Sequence, residues 1–167
     1  MTAKFPLGVD LFDNNCTIFG GGQHAYQYMQ KLMSFGAKIT VISPDICDEI
    51  KKLTEKNRIR YIPRRYFRGD CSTSYLCVAA TDDSVVNIAI SDECKAKSIA
   101  VYVDENEAFG TFSFPEILIS DGVSVTIQSD NKKLNDYLLK SLEQLLPVLI
   151  SRSEIPENAE NLNKDVT

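Results

Sequence analysis

The feature that most constrains this chain is Gly20-x-Gly22-x-x-Ala25, set between an apolar run and a helical pattern. Cys16-Thr17-Ile18-Phe19 reads as a short buried strand that stops at Gly20-Gly21-Gly22. From Gln23 to Phe35, Ala25, Tyr28, Met29, Leu32 and Met33 recur at helical spacing, and Gly36 supplies the stop. At such a strand-to-helix turn each small residue has a task. Gly20 permits the tight turn, Gly22 lets the backbone approach a diphosphate, and Ala25 lets the helix pack closely on the sheet. The helix start then offers free N–H groups and a positive dipole end to the anion.

The rest of the chain supports a βαβ reading. Ile39-Thr40-Val41-Ile42 is a β-branched strand closed by Ser43-Pro44, and a polar helix is expected over 46–55. Ile59–Ile62 alternates like an edge strand, Tyr75–Ala79 is a buried one, and 98–103 is a fifth. Between the last two, Thr81-Asp82-Asp83-Ser84 offers caps for a helix running to about Lys97. This alternation predicts an α/β fold, a Rossmann-type parallel sheet with right-handed crossovers. After Val103 the rhythm changes. Runs at 112–119 and 123–127 flank Asp121-Gly122, a hairpin signal, and a helix is expected over about 132–146. Its stripe of Leu134, Tyr137, Leu138, Leu142, Leu145 and Leu146 exceeds what a hairpin can cover, which predicts packing against a second copy of the chain. The organisation expected is thus a dinucleotide-binding domain over 1–111, a small α+β dimerisation appendage over 112–150, and a polar, disordered tail over 151–167.

Charge and cysteine usage narrow the function classes. With 18 basic against 23 acidic residues the net charge is −5, which argues against general nucleic-acid binding. No leader pattern and no membrane span are expected, so the setting expected is cytoplasmic. The five cysteines are scattered without C-x-x-C spacing and read as reduced thiols, with no metal site expected. Arg58, Arg60, Arg64, Arg65 and Arg68 crowd one stretch, either a solvated surface or a steering field for an anionic substrate. Asp45 stands 25 positions after Gly20 as a candidate ribose ligand, and no Lys or Arg closely follows that strand, which favours NAD over NADP. Ala80-Thr81-Asp82-Asp83 leaves the fourth strand at the end where ligands bind, with helix capping the competing role for those side chains. Asp104 ends the fifth strand, either as a solvated acid or as a group that moves a proton beside the cofactor. His24, the single histidine, sits in the first turn of the cradle helix and reads as a neighbour of the diphosphate rather than a metal ligand. Tyr102 reads as core or dimer packing.

Several of these pieces stand in a telling order: Phe5-Pro6-Leu7, Gly20-Gly21-Gly22-x-x-Ala25, Gly36-Ala37-x-Ile39-Thr40-Val41, Arg64-x-Tyr66-x-x-Gly69-Asp70, Ala79-Ala80-Thr81-Asp82-Asp83, Asn87, Val103-Asp104 and Phe112-x-Phe114-Pro115. Over about residues 4–147 the chain resembles the precorrin-2 dehydrogenases, the NAD-binding part of sirohaem synthases. Where relatives carry Ser-Gly-Gly-x-Ser-Pro, this chain has Ser129 followed by Asp130-Asn131-Lys132-Lys133-Leu134. The resemblance implies a cytoplasmic homodimer that oxidises the tetrapyrrole precorrin-2 to sirohydrochlorin with NAD; some members also insert ferrous iron. It places the catalytic aspartate on Asp104. The cofactor is then expected on Gly20, Gly21, Gly22, Gln23 and His24, on Ser43, Pro44 and Asp45, and on Ala80, Thr81, Asp82 and Asp83. The alternatives are a non-catalytic NAD-binding sensor or partner module and a pure chelatase.

Overall fold

The computed structural model describes residues 5–120, 122–129 and 131–152. The chain divides into two compact units, one of Phe5–Ser113 and one that begins at Phe114.

The first unit strings together β1 (Asn15–Phe19), α1 (Gln23–Met33), β2 (Lys38–Ile42), α2 (Asp48–Glu55), β3 (Arg60–Ile62), β4 (Leu76–Ala79), α3 (Ser84–Ala96) and β5 (Ala100–Val103). All five strands run parallel in the order β3-β2-β1-β4-β5, the doubly wound arrangement expected from the sequence. Central β1 is covered on both faces, so Cys16, Thr17, Ile18 and Phe19 are all buried. At the edge, β3 is short and half-exposed. Strand alternation divides the core. Cys77 and Ala79 of β4 and Val101 and Val103 of β5 pack with Ile90 and Cys94 of α3. Tyr102, one position out of phase, instead meets Tyr28 of α1, ring centroids 4.8 Å apart. The order in which strands are added reverses between β1 and β4, and the strand exits continue the ladder there. The Ala80 N–H donates to Phe19 O at 2.8 Å, and the Asp104 N–H to Ala79 O at 2.9 Å. Three candidate segments thereby share one edge of the sheet.

In the second unit β6 (Glu116–Ser120) and β7 (Val123–Ile127) pair antiparallel, and α4 (Lys132–Arg152) packs on this hairpin, chiefly along β6. Gly122 takes φ +79° between Ser120 and its partner Val123; Asp121, the other expected turn residue, lies outside the described residues. The first hairpin strand starts at Glu116 rather than Phe112, preceded by Pro115, which has no N–H for a ladder. α4 also runs beyond the expected Leu146 to Arg152, so Ser151 and Arg152 are helical rather than tail. Pro147 is inside it, one backbone bond forfeited while the apolar face continues through Val148 and Leu149. The expected disorder of 153–167 falls outside the described residues. No helix among the described residues is long and apolar enough to cross a membrane.

Candidate functional site

The glycine turn is shaped by contacts that only glycine allows. Gly20 has φ +116°, and a Cβ there would lie 2.0 Å from Ala80 O. At Gly21 a Cβ would fall 2.0 Å from Asp45 O, and Gly21 O accepts the Cys47 N–H at 2.8 Å, so this glycine seats the loop after β2. Around Gly22 the space is open. Gly22 is the N-cap of α1; it provides no side-chain cap, and the first turn of α1 carries no acidic residue. The helix opens its positive end and its first amides with nothing anionic from its own first turn.

That end faces a groove of about 580 Å³. Gly20, Gly21 and Gly22 form its floor, Ser43, Pro44 and Asp45 one wall, and Ala80, Thr81, Asp82 and Asp83 the other. Ten of the twelve residues expected to hold the cofactor therefore line one cavity; Gln23 and His24 do not. Gln23 turns to the exposed Glu49, donating from Nε2 at 2.9 Å. Capping is what the Asp83 side chain does: Oδ1 accepts the Val85 and Val86 N–H groups at 2.9 and 3.3 Å. Buried Asn87 locks the same loop, accepting from the Thr81 hydroxyl at 2.7 Å and donating to Thr81 O at 2.9 Å. The Thr81 and Asp83 side chains are thus engaged within the loop itself. Arg65 and Tyr66 also line the groove, so one cation of the 58–68 run reaches it.

Asp104 lines a second hollow of about 220 Å³ whose wall includes Thr81 and Asp82, residues shared with the groove. Three donors hold its carboxylate: Nδ1 of His24 at 2.7 Å, the Tyr28 hydroxyl at 2.8 Å and the Glu105 N–H at 3.0 Å. Glu105 reaches that position at φ +61°, a conformation disfavoured for a residue with a side chain. Because the Tyr28 hydrogen goes to Asp104, Tyr102, 3.0 Å away, donates to the Tyr28 oxygen. Burial first, together with the bond it donates to Asp104, pushes the Tyr28 phenol far above its ordinary value, so it stays a donor. Burial likewise raises Tyr102. His24 is the solvent-facing half of a pair, its side chain 60% exposed against 13% for Asp104.

The sequence reading missed Tyr28 and the role of Tyr102, though their spacing held a signal. His24 and Tyr28 are four apart on one helix and share a face; Tyr102 and Asp104 are two apart on one strand and share a side. The Arg64-x-Tyr66-x-x-Gly69-Asp70 motif proves to be a loop clamp. Arg64 grips both Asp70 oxygens at 2.7 and 2.8 Å, while the Tyr66 hydroxyl and the Gly69 N–H donate to Glu93 at 2.5 and 2.8 Å.

A doubly wound parallel sheet with a glycine turn at its reversal point, open to a groove, defines a Rossmann-type dinucleotide-binding protein. The chain belongs to the family described as putative NAD(P)-binding, which matches residues 7–116. It is 32% identical over 149 residues to a sirohaem synthase of Pseudoalteromonas atlantica, covering 88% of this chain and 32% of that one. A sirohaem synthase of Nitrosospira multiformis is 31% identical over 153 residues, covering 88% and 32%. The chain therefore spans about a third of the length of these relatives. The solved structure of SirC, precorrin-2 dehydrogenase, shares the fold at a TM-score of 0.68 and 22% identity, covering 92% of this chain and 84% of that one. The resemblance read from motif order is borne out.

Proposed function

We propose that the chain is an NAD-dependent dehydrogenase that oxidises precorrin-2 to sirohydrochlorin. The observation that carries this reading is the adjacency of two sites: Asp104, held with His24, lines a hollow that shares the Thr81–Asp82 wall with the glycine groove. The groove fits a dinucleotide, since Gly22 leaves open space where a diphosphate needs backbone contact. Amides at the start of α1 would hold the diphosphate, Asp45 the adenine-side ribose, and the Ala80–Thr81 backbone the nicotinamide half. When bound, the nicotinamide supplies the hydride acceptor.

The oxidation removes one hydride and one proton from the substrate, so the chain must take the proton. Asp104 accepts three hydrogen bonds that fix its side chain in place. Its bond to Nδ1 of His24 leaves Nε2 as the free basic atom, and the carboxylate stabilises the imidazolium formed when that atom takes a proton. His24 then passes the proton to water. Arg65 at the groove and the exposed Arg58, Arg60 and Arg68 supply positive field for a polycarboxylate.

Two further elements belong to this reading. The uncovered stripe on α4 supports a homodimer, and five free cysteines support a reducing, cytoplasmic setting. The test is the purified chain given fresh precorrin-2 with NAD or NADP, against Asp104→Ala. The wild type should yield the sirohydrochlorin spectrum and reduced nicotinamide, faster with NAD. Cofactor binding without turnover in the wild type would leave a non-catalytic binding module and reject the enzyme.

A further inference from the structure

Three of the five cysteines that are scattered along the sequence converge in the fold. The Sγ atoms of Cys71, Cys77 and Cys94 lie within 4.8 Å of one another, all three residues buried. Cys77 comes from the early part of β4 and Cys94 from the last turn of α3, while Cys71 precedes β4. By strand direction the cluster sits toward the amino edge of the sheet, away from the glycine groove and Asp104. We propose that this cluster is a binding site for a soft monovalent metal ion, Cu+, in trigonal thiolate coordination.

The geometry selects the ligand. Sulfurs bound trigonally at about 2.3 Å from a metal stand about 4 Å apart, so a small contraction of the cluster completes the site. Soft sulfur donors favour Cu+, Zn2+ and iron–sulfur clusters. Structural Zn2+ takes a fourth protein ligand, and catalytic Zn2+ an open position for water. Among the described residues the cluster offers three donors and is buried from solvent. The adjacent carboxylate is already engaged: Glu93 accepts from Tyr66, Gly69, Cys71 and Lys97. Each thiol that deprotonates on binding gives its proton to solvent, and the metal stays monovalent throughout.

Entry is built into the loop. Cys71 lies in a run of turns with Gly69, Ser72 and Thr73 exposed around it, while Cys77 and Cys94 are on regular elements. Local opening of that loop uncovers the other two sulfurs without unfolding the sheet.

The test adds Cu+, as its acetonitrile complex under anaerobic conditions, to the full chain with bathocuproine disulfonate as competitor. The wild type and Cys47→Ala should each withdraw one Cu+ per chain, and Cys71→Ala should bind more than about a hundredfold more weakly. X-ray absorption on the loaded wild type should show three sulfur neighbours, a readout that stands whether or not the variant folds. Copper left with the competitor, equal affinity in Cys71→Ala, or fewer than three sulfurs would overturn the site.

Discussion

Asp104, the residue proposed to serve catalysis, shows how much of a site lies outside a single side chain. Its carboxylate is aimed by an imidazole, a phenol and a strained peptide N–H, and each can be removed separately. Asp104→Asn keeps the shape but no longer stabilises an imidazolium. Steady-state assays should show kcat for precorrin-2 oxidation lower by about 10²–10⁴-fold, with NAD affinity by calorimetry unchanged. Tyr28→Phe removes one of the carboxylate's donors and leaves Tyr102 without its acceptor at Tyr28. It should lower kcat by a smaller factor, about tenfold, at unchanged NAD affinity. A Tyr28→Phe enzyme as slow as Asp104→Asn would mean that the phenol itself handles the proton. Gly20→Ala is a change of a different kind. Its Cβ would meet the Ala80 carbonyl at 2.0 Å at a positive φ, so it should destabilise the fold by more than about 2 kcal/mol in urea titration, as well as weaken NAD.

At the scale of elements, the loop after β3 is tied to α3 by a single buried carboxylate. Burial alone would raise the pKa of Glu93, but Lys97, the Tyr66 hydroxyl and the Gly69 N–H together lower it from 4.5 to about 2. A depressed carboxyl stabilises the fold fully above its unfolded value, and that contribution disappears as pH falls from 4.5 through about 2. Glu93→Gln should cost about 1.5–3 kcal/mol at neutral pH. The gap from wild type should narrow in urea melts between pH 4.5 and 2; a constant gap would assign the loss to packing instead. The same loop marks where the sequence stopped being legible. The strands, helices and glycine turn follow from periodicity and turn chemistry, which are local. That Tyr66 and Gly69 meet Glu93, that three distant cysteines meet, or that α1 supplies two donors to the end of β5 depends on sheet order and crossover hand. The spacings of His24 with Tyr28 and of Tyr102 with Asp104 were visible; their juxtaposition was not. Helix α4 outran its expected end because a proline near the end of a long apolar face costs less than abandoning that face.

For the whole molecule, the decisive surface is the one α4 leaves uncovered. Leu134, Tyr137, Leu138, Leu145, Val148 and Leu149 are all exposed, between 37% and 68%. At about 100° per residue they fall within an arc of roughly 120° on one side of the helix. Leu146, the one stripe residue that is buried, lies beside that arc and not within it. In the proposed homodimer a second copy would present the same face, and a two-fold axis would close both at once. The wild type should therefore sediment as a dimer of 18.7 kDa chains at micromolar concentration. Leu145→Glu with Leu149→Glu should shift it to monomer, weakening association by more than about a hundredfold, or about 2.7 kcal/mol. Both side chains already face solvent in the single chain, so intrinsic folding of each protomer should change little, and near-ultraviolet circular dichroism should be retained. If the wild type sediments as a monomer, the stripe has some other occupant and the homodimer is wrong. If the dimer survives the double substitution, association runs through a different surface. Turnover of the monomeric variant then asks whether dimerisation serves catalysis. Glycine groove, Asp104 and His24 all belong to one unit of one chain, so NAD affinity should persist in the monomer, and any loss should fall on precorrin-2 alone.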